Sequence, residues 1–169
     1  MKIVKQQEIK VYIAEAGQRI KIEKDLYFDV LWPISKKAVS ENNMNNNSLV
    51  CKMVYYDFSF LFTGDIEVIA ENAILEEYKN VNTLKSTILK VAHHGSKSSS
   101  TQEFLNAVSP QMAFIGVGKS NHFGHPNKDV VARLKDAGIR IFRTDEDGEI
   151  TIKVNKKQRV WINKMLNEI

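Results

Sequence analysis

The chain has 169 residues, 43% of them apolar and 26% charged, with a formal net charge of +4. That length suits one domain burying about two thirds of its unfolded surface, and the balance of apolar and charged residues excludes a disordered chain. A lone cysteine, Cys51, excludes both a disulfide framework and a cysteine-based zinc site.

No stretch of the sequence approaches the ~20 apolar residues of a membrane span, and MKIVKQQEIK lacks the apolar run of a signal peptide. A soluble chain with no membrane insertion of its own is expected. Residues 9–32 alternate as strands do: IKVYI, then QRIKIE after a turn at Ala16 and Gly17, then LYFDVLWP, stopped by Pro33. Residues 35–47 hold the asparagine-rich ENNMNNN, which suits turns rather than a core and predicts a surface loop. Two strands follow, Ser48 to Tyr55 and Phe58 to Phe62, joined at Tyr56 and Asp57, with Cys51 expected in the core.

After Asp65 the period changes. Ile66, Ile69, Ala70, Ala73, Ile74 and Tyr78 recur at helical spacing, with Glu67, Glu71 and Glu76 on the opposite face. A strand is expected over Thr87 to Ala92, a short helix near Gln102 to Ala107, and a strand over Met112 to Val117. A helix from Asn127 to Ala137 ends at Gly138, a left-handed stop. Ile139 to Phe142 and Glu149 to Val154 close the pattern as strands about the turn Glu146-Asp147-Gly148. Strands first, then alternating strand and helix, define an α/β layered sandwich with a mixed sheet. The expected layout is one domain: strands in 1–34, the loop 35–47, an α/β core 48–154, and a basic segment 155–169 whose charge suits a solvated surface or a phosphate.

Three stretches could carry chemistry. FLFTGD delivers Asp65 to the end of a strand, where it could ligate a metal or cap the following helix, a role worth about 1 kcal/mol. KVAHHGSKSSS delivers His93 and His94, one facing a site and one turned away if the strand stays regular, and then Gly95. Ser96, Lys97, Ser98 and Ser99 supply hydroxyls and a cation that suit a phosphate, and equally suit a helix start capped at Ser100 or Thr101. VGKSNHFGHPNKD brings Asn121, His122 and His125 into one loop, with Pro126 at a first helical position. His125 could contact a phosphate, or could be a loop histidine bonded to backbone.

Taken in order, FLFTGD with its glutamate-rich helix, LKVAHHGSKSSS, NHFGHP and RTDEDG resemble the C-terminal metallo-β-lactamase-like domain of the ComEC competence family, over roughly Gly17 to Ile152. The resemblance implies an αββα sandwich, a divalent metal such as zinc or manganese, Asp65 as the bridging aspartate and one of the histidine pair, His94 being favoured, as a metal ligand. His93 and His125 are then catalytic candidates, and Ser96, Lys97, Ser98, Ser99 and Asn121 candidates for holding a phosphodiester. One departure is clear: the family domain opens with HxHxDH or HxDxDH, and neither occurs here, all four histidines lying between His93 and His125. A catalytic zinc generally has three protein ligands, so the chain is expected to resemble the C-terminal half of the domain and to hold an incomplete site. The implied activity is hydrolysis by metal-activated water, with DNA as substrate during uptake into a bacterium, the family domain being attached to a membrane protein. The alternatives are a non-catalytic module whose bare sheet face is covered by a homodimer or by a separate N-terminal half-domain, and a nucleic-acid binder using the basic C-terminal segment.

Overall fold

The computed structural model describes residues 2–165, so the last four residues of the basic segment lie outside it. A short helix α1 (Lys2–Gln6) precedes strands β1 (Arg19–Glu23) and β2 (Leu26–Trp32), helix α2 (Asn43–Asn46), and strands β3 (Val50–Tyr55) and β4 (Phe58–Phe62). Strand and helix then alternate through α3 (Val68–Glu77), β5 (Ile88–Lys90), α4 (Gln102–Val108), β6 (Met112–Ile115), α5 (Lys128–Asp136) and β7 (Arg140–Arg143). A one-turn helix α6 (Thr144–Asp147) leads to β8 (Glu149–Val154) and β9 (Val160–Met165).

The first seven strands form one mixed sheet whose spatial order is the chain order. β1 to β4 pair antiparallel, β1–β2 and β3–β4 through tight turns and β2–β3 through the longer segment that holds α2, and β4 to β7 run parallel. Each parallel step needs a crossover, and crossovers are right-handed. Successive steps in one direction therefore place α3, α4 and α5 on the same face of the sheet. Their apolar sides, Ala70 and Ile74, Phe104, Leu105 and Val108, Val130 and Leu134, bury against Leu61, Leu89, Ala113 and Ile115 in one continuous core.

The other face is built from the alternate residues. Phe58, Ile88, Met112, Phe114 and Phe142 form a second core, covered by the β8–β9 hairpin through Ile150, Ile152, Val160 and Ile162. The expected basic tail is thus in large part a strand with structural work. Lys164 donates to Asp147 at 2.7 Å and lies over the Phe142 ring, so its charge is already partnered. The hairpin does not reach across the whole sheet: an aromatic row continues from Phe142 and Phe114 to Phe60, Phe62 and Phe28, the last three only half-buried.

Several expectations need correction. Ile9 to Ile13 alternate as a strand would, yet the segment pairs with no strand among the described residues and is largely exposed, with Ile13 86% accessible. An alternating pattern makes a strand only where a neighbour accepts its ladder. The asparagine-rich segment is ordered structure: Asn46 is buried, its Oδ1 accepts the Glu67 amide at 3.0 Å, and its backbone carbonyl accepts from the Trp32 indole at 2.7 Å. Short amide side chains replace backbone partners here. Asp65 caps nothing, because α3 begins at Val68 with Glu67 in the capping position. Thr101 is the cap of α4, accepting from Phe104. Asn127 caps α5, which leaves Pro126 outside the helix. The turn expected at 146–148 is the end of α6.

Leu89 is fully buried on the interior strand β5 and touches the helix-side core. Leu89→Ala is expected to cost about 2–5 kcal/mol, measured by urea unfolding, through lost burial and a cavity that the flanking strands hold open.

Candidate functional site

Parallel β4, β5 and β6 all end at one edge of the sheet, and the three stretches singled out in the sequence leave from those ends. The edge is knitted by the backbone. Thr63 Oγ1 donates to the Lys90 carbonyl at 2.6 Å, joining the end of β4 to that of β5. The His93 amide donates to the Gly64 carbonyl at 3.1 Å, and the Asp65 amide to Ser48 Oγ at 3.2 Å. Gly64 has φ +54°, and a Cβ there would lie 2.6 Å from that of Ser48. Gly95 has φ +81°, and a Cβ there would lie 2.6 Å from Pro126. Both glycines are therefore required by conformation and by close approach.

The histidine pair does not continue the strand. β5 stops at Lys90, and His93 and His94 both adopt the left-handed region, with φ 48° and 54°. The alternation that would send one imidazole away is lost, and both rings stay at the edge. His94 Nδ1 lies 2.6 Å from the Gly116 carbonyl beyond β6. A carbonyl only accepts, so Nδ1 carries the proton and the lone pair of the neutral ring sits on Nε2. That Nε2 is 3.6 Å from Asp65 Oδ1, with both side chains about half exposed.

His93 has a different partner. Its Nδ1 lies 3.3 Å from Glu67 Oε1, close enough for an ion pair though not aligned as a hydrogen bond. Ser98 Oγ donates to the same carboxylate at 2.9 Å and Asn42 Nδ2 at 2.8 Å. Burial opposes ionisation of Glu67, but the bonds from Asn42 and Ser98 and the proximity of His93 outweigh it and lower its pKa. Glu71, on the next turn of α3, is fully buried and accepts from the Ser100 and Thr101 amides and the Thr101 hydroxyl. Burial pushes its pKa up against these three donors and nearby Arg133, whose guanidinium bonds the Ser99 and Ser100 carbonyls. Glu67 and Glu71 were placed on a polar helix face by periodicity; only Glu76, paired with Lys79, belongs there. The signal for the other two was the hydroxyl-rich loop, which supplies many donors and no acidic acceptor of its own.

The phosphate candidates divide. Ser96 and Ser99 are buried, Ser99 bonding the Ala92 and Ser96 carbonyls, and Ser98 is committed to Glu67. These hydroxyls brace the loop and do not line an open site; Lys97 alone of the group is exposed. Asn121 lines the cleft beside His94 and also clamps its own loop, donating to the Gly118 and His125 carbonyls and accepting the His125 amide. His125 joins the histidine pair, its ring 5.7 Å from that of His93. Burial lowers its pKa, helped by His93 and His94, so it is neutral at pH 7. His122 is exposed and outside this group. RTDEDG also has a role here: Thr144 Oγ1 bonds both the amide and the carbonyl of Val117, fixing the turn that carries the Gly116 carbonyl.

A mixed sheet with all its crossover helices on one face, a hairpin on the other, and Asp and His at the ends of adjacent parallel strands is a metallo-β-lactamase-like arrangement. It is similar to a solved structure from Parabacteroides distasonis described as a metal-dependent hydrolase, with a TM-score of 0.51 and 12% identity, covering 86% of this chain and 62% of that one. In sequence the chain is 39% identical over 137 residues to ComE operon protein 3 of Bacillus subtilis, and 33% identical over 141 residues to competence protein ComA of Neisseria gonorrhoeae, each match covering 81% of this chain. Over that segment the chain is similar to competence proteins of the ComEC type. It spans 17% of the first relative and 20% of the second. No family model matches the chain. Among the described residues no helix is long and apolar enough to cross a membrane.

Gly95→Ala is expected to lower stability by at least about 1–2 kcal/mol, the penalty for a left-handed alanine, with the contact to Pro126 adding to it. Thermal unfolding followed by circular dichroism measures the shift.

Proposed function

We propose that Asp65 and His94 are this chain's contribution to a divalent-metal site in a ComEC-type hydrolase that cleaves DNA phosphodiesters during competence. One observation carries the reading: Asp65 Oδ1 and His94 Nε2 face each other at 3.6 Å while His94 Nδ1 is committed to Gly116. With the imidazole neutral, Asp65 Oδ1 and His94 Nε2 turn two lone pairs toward each other, an arrangement that a cation satisfies. A tetrahedral ion with bonds of ~2.0–2.1 Å spaces its ligands by about 3.3 Å, which the pair nearly matches. The carbonyl behind His94 is the outer partner that fixes ring and tautomer in metal-binding histidines. His94 rather than His93 is assigned as the ligand because it is the ring that faces Asp65, whereas His93 pairs with Glu67.

The donor set is partial. Among the described residues no three His, Cys, Asp or Glu side chains gather around one point, so further ligands come from elsewhere. When bound, a divalent ion lowers the pKa of water to about 7 and stabilises negative charge on oxygen. This chain's own residues orient: Glu67 holds His93 toward His125, the neutral His125 ring borders the substrate side, and Lys97 offers its charge to a phosphate. Titration calorimetry with zinc or manganese is expected to show one weak site in the intact chain. Asp65→Asn and His94→Asn should each weaken it at least tenfold, asparagine being chosen at 94 because it tolerates the left-handed backbone. Unchanged affinity, or metal-dependent cleavage of single-stranded DNA that survives both substitutions, overturns the assignment.

A second reading concerns association, and it rests on the half-buried row Phe28, Phe60 and Phe62 beyond the hairpin. A sheet face left only partly covered in this way suits a contact site. The row suits a complementary sheet, from a separate N-terminal half-domain carrying the remaining ligands or from a second copy of the chain. Sedimentation velocity of the chain alone at micromolar concentration is expected to show a species heavier than 19.3 kDa. Phe62→Asp should return it to the monomer.

A further inference from the structure

The loop between β6 and α5 carries an aromatic ring into solvent at the rim of the site. Phe123 is 82% exposed. Single exposed apolar side chains are ordinary and mean little by themselves. Three observations separate this one. The loop is held from within by Asn121, which bonds the His125 amide and carbonyl at 3.0 and 2.7 Å and so fixes the residues on either side of Phe123. The Phe123 ring lies nearly parallel to that of His125, with centroids 6.0 Å apart and planes at 21°. And a cleft of about 400 Å³, within the ~300–1,000 Å³ range of small-molecule sites, is lined by Phe123, His125, Gly118, Gly116 and His94. The ring therefore opens onto the same cleft as the candidate ligand.

We infer that Phe123, backed by His125, is a stacking platform for a nucleobase of single-stranded nucleic acid, next to the phosphodiester presented to Asp65 and His94. The inference rests on the phosphodiester reading above and adds the residue that favours a single strand over a duplex. A phenyl ring and a neutral imidazole offer flat π-faces and little hydrogen-bond readout, so they suit any base without sequence preference. A duplex keeps its bases stacked on one another, and an exposed base on a flexible strand costs far less to bring to the ring. Lys97 and Lys119, both exposed, stand on the two loops that flank this side, and the chain's net charge of +4 favours a polyanion.

The test is the affinity of the intact chain for labelled oligothymidylate, for an abasic oligonucleotide of the same length, and for a duplex, by fluorescence anisotropy at low salt. Phe123→Ala is expected to weaken oligothymidylate binding by about 5- to 100-fold, the range found for one base–aromatic stack, while Phe123→Trp preserves it. The abasic strand and the duplex should bind the wild type as weakly as oligothymidylate binds Phe123→Ala, and should not respond to the substitution. Equal binding of oligothymidylate by wild type and Phe123→Ala, or an equal loss with the abasic strand, overturns the platform and leaves the phosphodiester reading standing. If the wild-type chain binds none of the three, both fall. Because Phe123 is so exposed, matching thermal unfolding of the variants will show that the fold is intact.

Discussion

Parallel pairing of β4, β5 and β6 forces three segments of the chain to leave the sheet at one edge, and every side chain at the candidate site owes its position to that constraint. Asp65 follows the first strand, the histidine pair follows the second, and Gly116 follows the third. Hydrogen bonds that run across the ends, Thr63 to Lys90 and His93 to Gly64, hold the exits in step with the strands behind them. In open α/β sheets this carboxyl edge is where ligands bind. The register of the sheet thus sets the 3.6 Å separation of Asp65 and His94 as much as their own rotamers do.

Behind that edge lies a buried acid. Glu71 is removed from water at a cost of several kcal/mol for an unpaired charge, and the cost is offset by two amides and a hydroxyl from the Ser100–Thr101 turn. Arg133 closes the arrangement from α5 by binding the carbonyls of the same turn. One carboxylate and one guanidinium on two helices grip a loop from opposite sides, using its donors and its acceptors respectively. This is why a segment of four serines, three of them buried, is ordered although its composition suggests a loose loop.

Much of the fold was legible in the sequence because it rests on periodicity. The change from alternating to helical spacing after Asp65 marks the antiparallel-to-parallel transition, and Gly138 ends α5 where expected. Segments that depend on partners were not legible. IKVYI has the pattern of a strand and no strand neighbour among the described residues, whereas Val160 to Met165 reads as a basic tail and pairs with β8. The candidate site was legible as Asp65, His93, His94 and His125 to the extent that these side chains stand together at one sheet edge. Glu67, Thr144 and Gly116 were not, since they act through a carboxylate, a hydroxyl and a carbonyl aimed by tertiary structure. Conversely, the serines have the chemistry of substrate contacts and bond within the protein, Ser99 to backbone carbonyls and Ser98 to Glu67.

The left-handed pair His93 and His94 restricts more than ligand geometry. A left-handed backbone disfavours most residues by roughly 1–2 kcal/mol each, least so asparagine, aspartate, histidine and glycine. These two positions are thus filtered twice, by the imidazole chemistry and by φ. Over evolutionary time a lineage that abandoned the chemistry would still find few residues admissible there. Histidines could then persist in silent copies of the fold as conformational fossils, and a histidine pair alone would be poor evidence that such a copy remains active.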